Sequence, residues 1–143
     1  MINMGDRIAF GLATDTGDTI YLYSHWGGNS WIHDLRKALM FADSYVNDTV
    51  YGNRIIISNI IGSDWSLNTG YGICVNEVPD CDYNFIPYVD LRNGTVTAYH
   101  YDWNVKILGG ALMRMSIKDF FKASPEQIYA EIANNIKELE DEK

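Results

Sequence analysis

A chain of 143 residues, 47% hydrophobic and 21% charged, is long enough for one globular domain with a real core. Its net charge of −8 excludes the basic surface on which duplex nucleic-acid binding rests. No apolar run approaches the ~18 residues of a membrane span.

Half of the charge lies from Glu126 onward, where six acids face only Lys137 and Lys143. An acidic surface of this kind keeps a chain soluble and also suits a basic protein partner. Aromatic residues make up 13%, with ten Tyr and four Trp, and serve core packing, flat ligands or partner surfaces. Met1–Phe10 carries Asp6 and Arg7 and no apolar signal-peptide core, so a cytoplasmic chain is expected. Cys74 and Cys81 lack redox or zinc spacing and are read as reduced thiols.

In chain order, Arg7–Thr14 and Thr19–Tyr23 predict a hairpin through Asp15-Thr16-Gly17-Asp18. A helix follows from Trp31 to about Val46, capped by Asn29 or Ser30, with Ile32, Leu35, Leu39, Ala42 and Tyr45 or Val46 on its buried stripe. Val50–Ile61 has strand propensity in Ile55-Ile56-Ile57. The preceding Asn47-Asp48-Thr49 cap and the following Gly62 favour a helix. Ser63–Asn68 predicts a loop carrying Trp65, Tyr71–Val75 a strand, and Asn76–Asn84 a loop.

Phe85–Leu91 and Thr95–Tyr101 form the clearest hairpin, through Arg92-Asn93-Gly94. A strand over Trp103–Leu108 and a break at Gly109-Gly110 come next. Ser116 then caps a short helix holding Phe120 and Phe121. Ser124-Pro125-Glu126-Gln127 is a strong helix start. The helix it opens, spanning 125–143, is amphipathic and acidic, with Ile128, Ile132, Ile136 and Leu139 on one stripe. That stripe either docks on its own domain or pairs subunits. The expectation is a single α+β domain: an antiparallel sheet of about five to six strands, two helices between hairpins, and the C-terminal helix.

The stretch with most chemical content is Ser24-His25-Trp26-Gly27-Gly28, a strand-to-helix junction. Together with Arg54 and the Thr69-Gly70-Tyr71-Gly72 turn it defines a candidate ligand site of His25, Trp26, Gly27, Gly28, Arg54, Thr69 and Tyr71. Trp26 or Tyr71 can stack on a base. Backbone N–H groups of Gly27 and Gly28 at the helix start can hold a phosphate, Arg54 can bind it bidentately, and His25 can donate to it. The same residues also fit a purely architectural corner, with glycines serving the turn, Trp26 in the core, His25 bonded to a carbonyl, and Arg54 paired with Asp43 or Asp48.

Catalytic patterns are weaker. Ser24 and His25 are adjacent and point to opposite faces of a strand, unlike a nucleophile and its base. His33-Asp34, His100-Tyr101-Asp102 and the acids flanking Cys81 can offer metal ligands but lack a characteristic spacing. No cofactor or metal is expected.

Three segments, YLYSHWGG at Tyr21–Gly28, RIIISNIIG at Arg54–Gly62 and TGYGI at Thr69–Ile73, give the chain a family likeness. It resembles a group of small phage and prophage proteins over about Arg7 to Tyr99. It departs from them in its Ile-rich run, where the group tends to have Phe or Met, and the likeness does not extend to its C-terminal helix. The resemblance implies a phage-borne accessory protein in the cytoplasm of an infected cell. Proteins of that kind are often non-enzymatic inhibitors of host defence, some binding host proteins and some sequestering nucleotide immune signals. The leading expectation is therefore a non-catalytic binder of a nucleotide-like signal, with its pocket near a subunit interface. An acidic inhibitor of a host defence enzyme is the alternative, and a small hydrolase using His25 is a third reading. A homo-oligomer through the C-terminal helix is a possible partner arrangement.

Overall fold

The computed structural model describes residues 5–141; Met1–Met4 and the last two residues of the expected 125–143 segment lie outside them. The chain forms one α+β fold, with a six-stranded, mostly antiparallel sheet and four helices. The strands are β1 (Ile8–Ala13), β2 (Thr19–Ser24), β3 (Tyr71–Val75), β4 (Phe85–Asp90), β5 (Thr95–Asp102) and β6 (Ile107–Ser116). The helices are α1 (Trp31–Ala42), α2 (Thr49–Ile61), α3 (Ile117–Lys122) and α4 (Pro125–Asp141).

The sheet order is β3-β2-β1-β4-β5-β6. Every neighbouring pair is antiparallel except β1 and β4, which run parallel through Gly11↔Tyr88 and Leu12↔Val89. This is one departure from the expected antiparallel sheet. Hairpins are closed by local turn chemistry, but β1 and β4 are joined by a long crossover through α1, α2 and β3, so their direction is set non-locally. Two antiparallel halves, β3-β2-β1 with α1 and α2 inserted between β2 and β3, and the meander β4-β5-β6, thus meet along one parallel seam.

Apolar alternation along the strands produces two cores. Ile8, Phe10, Leu12, Leu22, Val89, Val96 and Met113 face α1, α2 and α4 through Trp31, Leu35, Leu39, Ile56, Ile128 and Ile132. On the other face a smaller cluster, Ala9, Tyr21, Val78, Cys81, Ile86 and Tyr101, lies under the 76–84 loop. Burial pushes the Tyr21 phenol up to about 12, with the Tyr88 and Cys74 side chains adding to it.

That loop is clamped to Arg7, the residue before β1. Asp82 accepts from Arg7 N at 2.8 Å, Nε at 3.2 Å and Nη2 at 2.8 Å, while Asp82 N–H donates to Arg7 O at 2.9 Å. The Arg7 guanidinium holds the Asp82 carboxyl below the usual carboxylate range. A depressed carboxyl stabilises the fold above its unfolded pKa, and this is lost as pH falls through the folded value. Both side chains are more than a third exposed, so solvent screening limits the effect. Asp82→Asn is expected to cost about 1 kcal/mol at neutral pH, with wild-type and variant urea curves converging below the carboxylate range. A difference that persisted there would refute a charge-based clamp.

The Ile-rich stretch is helical. Asp48 caps α2 by accepting from Tyr51 N–H at 3.2 Å, and Gly62 ends it at φ +63°. Two expected boundaries shift. Helix α1 stops at Ala42 rather than Val46, because Tyr45 and Asp48 N–H turn back to Ala42 and Tyr45 carbonyls and bring α2 against α1. The strand placed at Trp103–Leu108 is a turn to Lys106, and β6 runs from Ile107 straight through Gly109-Gly110. Those glycines are not a break. They sit where the β5–β6 register slips, between Ala98↔Met113 and Tyr101↔Leu108, and a Cβ on Gly109 would lie 3.3 Å from His100 Nδ1.

The Ser124–Gln127 capping box forms as expected, with Gln127 N–H to Ser124 Oγ at 3.1 Å and Ser124 N–H to Gln127 Oε1 at 2.9 Å. From there α4 lays Ile128 and Ile132 on its own domain, beside β6. Leu139 at its far end is exposed.

Candidate functional site

The corner after β2 is built around Asp6. Its carbonyl accepts from Gly28 N–H at 2.8 Å and its carboxylate from Asn29 N–H at 2.7 Å and Tyr83 OH at 2.7 Å. Asp6 N–H in turn donates to His25 O at 2.8 Å. The anion position at the start of the α1 segment is therefore filled by the chain's own carboxylate. Burial, with Asp6 beside it, pushes the Tyr83 phenol well up. Gly28 is needed because a Cβ there would lie 2.4 Å from both Asp6 Oδ1 and Tyr83 Cε1. A Cβ on Gly27 would lie 2.5 Å from Ser24 Oγ.

His25 is tied in as well. Its Nδ1 pairs with Tyr23 OH at 2.7 Å, its N–H donates to Gly70 O at 2.9 Å, and Gly5 packs on its ring. Ser24 is buried, and its hydroxyl lies toward Gly27 rather than on the imidazole. Trp26 is exposed and meets His25 edge-on, with ring centroids 4.5 Å apart.

Thr69 and Tyr71 share a different surface. Tyr71 stands across the sheet from Ser24, and its phenol is pushed up by burial and by the Asp64 and Asp34 carboxylates. Together with Ile61, Trp65, Leu67 and Ile73 these residues line a cavity of about 220 Å³. Trp65 and Ile73 are also walls of a larger neighbour of about 420 Å³, lined by Ile20, Val50, Asn53, Arg54 and Ile57 among others. The structure thus brings Thr69 and Tyr71 into the same groove system as Arg54, with Trp65 and Ile73 as the link. His25, Trp26, Gly27 and Gly28 line neither cavity.

Two polar groups mark the larger cavity. Arg54 reaches Ser58 Oγ at 3.4 Å and, among the described residues, has no carboxylate within ion-pair distance. In particular it pairs with neither Asp43 nor Asp48. Asn53, only 4% exposed, donates from Nδ2 to Ala13 O at 2.9 Å, and its Oδ1 has no partner among the described residues. A buried acceptor without a donor is costly, which makes it informative. The groove walls are otherwise mainly apolar, with Asp15, held by Arg92, and Thr14, Thr16 and Thr49 also among them, so a ligand there meets an indole, aliphatic walls, the Arg54 cation and, nearby, a carboxylate already paired.

Helix α2 explains the arrangement. Its N-terminal part buries polar Thr49 and Asn53 and leaves Val50 and Tyr51 exposed, while Ile56, Ile57 and Ile61 further along bury in the core as on an ordinary amphipathic helix. Trp65 and Asn53 were missed in the sequence. Trp65 sits in an unremarkable polar loop, and Asn53 stands inside a helix where Asn is usually a surface residue. The burial of Thr49 and Asn53 at the start of α2 is invisible until its packing partners are known.

Among the described residues no three His, Cys, Asp or Glu side chains gather as a metal site, and no helix is long and apolar enough to cross a membrane. Both cysteines are free thiols, pushed up by burial. Compared with family models, curated proteins and solved structures, the chain matches none.

Proposed function

We propose that this chain is a non-catalytic accessory protein that captures and sequesters a small, anionic, ring-bearing ligand of nucleotide-like chemistry. The observation that carries the proposal is Arg54, which has no carboxylate within ion-pair distance among the described residues and lines the largely apolar groove that also holds Trp65. In this reading Arg54 grips a phosphate bidentately and Trp65 stacks on the ring. Thr69 and Tyr71 line the adjoining space. The likeness of Tyr21–Gly28, Arg54–Gly62 and Thr69–Ile73 to phage accessory proteins supplies the setting, removal of a host immune signal inside an infected cell. The corner at His25-Trp26-Gly27-Gly28 is not the pocket in this reading, because Asp6 already takes the Gly28 and Asn29 amides at the helix start.

A second reading has its own observation. Met40, Phe41, Val50 and Tyr51 are exposed on α1 and α2 of a chain carrying −8, which suits an inhibitor that sits on a basic host enzyme.

Native mass spectrometry with a panel of cyclic nucleotides and ADP-ribose derivatives tests the proposal. A panel member is expected to bind and to be released by heat unaltered. Arg54→Ala is expected to weaken its capture about 10- to 100-fold, the worth of one charged bidentate contact, whereas His25→Asn leaves it unchanged. Binding that survives Arg54→Ala would move the site elsewhere. Release of an altered ligand would replace sequestration by the hydrolase reading, and failure of the whole panel would favour the protein inhibitor.

A further inference from the structure

The sheet has an open edge at β3, and three observations concern what covers it. The first is backbone direction. Asn76 N–H donates to Thr19 O and His25 N–H to Gly70 O, so bonded pairs recur at every second residue, 21/74 and 23/72 between them. Tyr71, Ile73 and Val75 therefore turn their own N–H and C=O groups outward, where the described residues offer no strand to meet them.

The second is the absence of protection. Edge strands are usually guarded by charge, proline, a bulge or a covering helix. The five residues of β3, Tyr-Gly-Ile-Cys-Val, include no charged side chain and no proline, and their pairing with β2 is unbroken. The helical layer stops short of them. Ile73 and Val75, on the helix side of the sheet, are more than half exposed, as are Trp65 and Leu67 beside them.

The third is self-complementarity. The strand is bounded by two left-handed residues, Gly70 at φ +102° and Asn76 at φ +68°, equally far from Ile73. We propose that two copies of this chain pair antiparallel through β3 about a two-fold axis at Ile73, continuing the sheet across the dimer.

In that register Ile73 faces its own counterpart, Tyr71 faces the second copy's position 75, and Gly70 faces position 76. Glu77, the nearest acid, falls opposite position 69, a threonine, so the acidic chains meet without an acid against an acid. The four half-exposed side chains offer roughly 400 Å² per copy, at about 100 Å² each. With the edge backbone added, the two copies together approach the ~1,000 Å² that a specific interface needs. The pairing sets the second copy's Tyr71, Ile73 and Val75 beside the groove wall at Ile73. It stands independently of what the groove binds.

The test is the mass in solution by light scattering, with variants that spare the fold. Wild type is expected at twice 16.3 kDa. Ile73→Lys and Ile73→Pro are expected to run as monomers, their dimer dissociation constants raised about 100-fold or more. Proline at 73 removes only an outward N–H, so pairing with β2 and the far-ultraviolet spectrum persist. In a Cys74→Ser background, Ile73→Cys is expected to form an intermolecular disulfide on mild oxidation, since facing Cα atoms in such a pair lie about 5.5 Å apart. Val105→Cys, exposed in the turn after β5, is expected to stay unlinked. A monomeric wild type overturns the proposal. So does a dimer that survives Ile73→Lys, which would place the contact elsewhere, for example on α4. Arg54→Ala leaves the dimer intact and so separates this proposal from the ligand reading.

Discussion

Truncating Trp31 to alanine is expected to lower stability by about 4 kcal/mol, the upper part of the range for emptying a large buried aromatic. Trp31 is fully buried at the first turn of α1, and its ring lies 5.7 Å from Phe85 of β4, 6.1 Å from Phe120 of α3 and 6.3 Å from Tyr129 of α4. One side chain therefore joins the central sheet to three helices. The cavity cannot collapse easily, because its walls belong to elements anchored separately by the sheet and by the Arg36 hydrogen bonds to Phe120 O and Ala123 O. At this chain length the melting temperature falls by on the order of 10–15 °C. Helix α4 also loses its Tyr129 contact, so its amides are expected to exchange faster than those of α2 in the variant. A loss under about 1.5 kcal/mol would mean that the surrounding rings repack, and the shared-hub account would fail.

Replacing Gly28 by alanine is expected to cost about 2–3 kcal/mol, through overpacking and the loss of buried hydrogen bonds. Gly28 has no left-handed backbone to explain it, so the effect is steric. The new methyl would lie on Asp6 Oδ1 and Tyr83, and must displace the carboxylate that holds Asn29 N–H and Tyr83 OH. Chemical denaturation measures the cost. Ligand capture per folded molecule is expected to stay at the wild-type level, since the Arg54 groove is lined by other residues. If Gly28→Ala instead abolished capture while the fold held, the corner would be the site and the groove would not.

Much of the architecture was legible because it is local. The hairpin turns at Asp15–Asp18 and Asn93-Gly94, the Asp48 cap and Gly62 stop of α2, and the Ser124–Gln127 box each involve residues within about five positions, so the chain carries its own instruction. The glycine pair at 109-110 misled for the opposite reason. A glycine in an edge-strand bulge and a glycine in a break have the same sequence, and only the slipped β5–β6 register tells them apart. The corner was legible as a place where a helix start favours an anion. That the anion is Asp6, held nineteen positions before His25, depends on chain return.

The sequence by itself determined the α+β class, the two hairpins, the helical stretches with the caps of α2, α3 and α4, and a net acidic charge. These follow from periodicity, turn chemistry and charge, which act over a few residues. The expected Ser30 cap of α1 does not form, its hydroxyl going to Asp34 instead. Only the tertiary structure decided that β1 and β4 run parallel, that Asp6 fills the glycine corner, and that Arg54 lies with Trp65, Asn53 and Ile73 rather than with His25. Each of these is a meeting of segments far apart in the chain, settled by which apolar faces bury one another and which polar groups are left to find a partner.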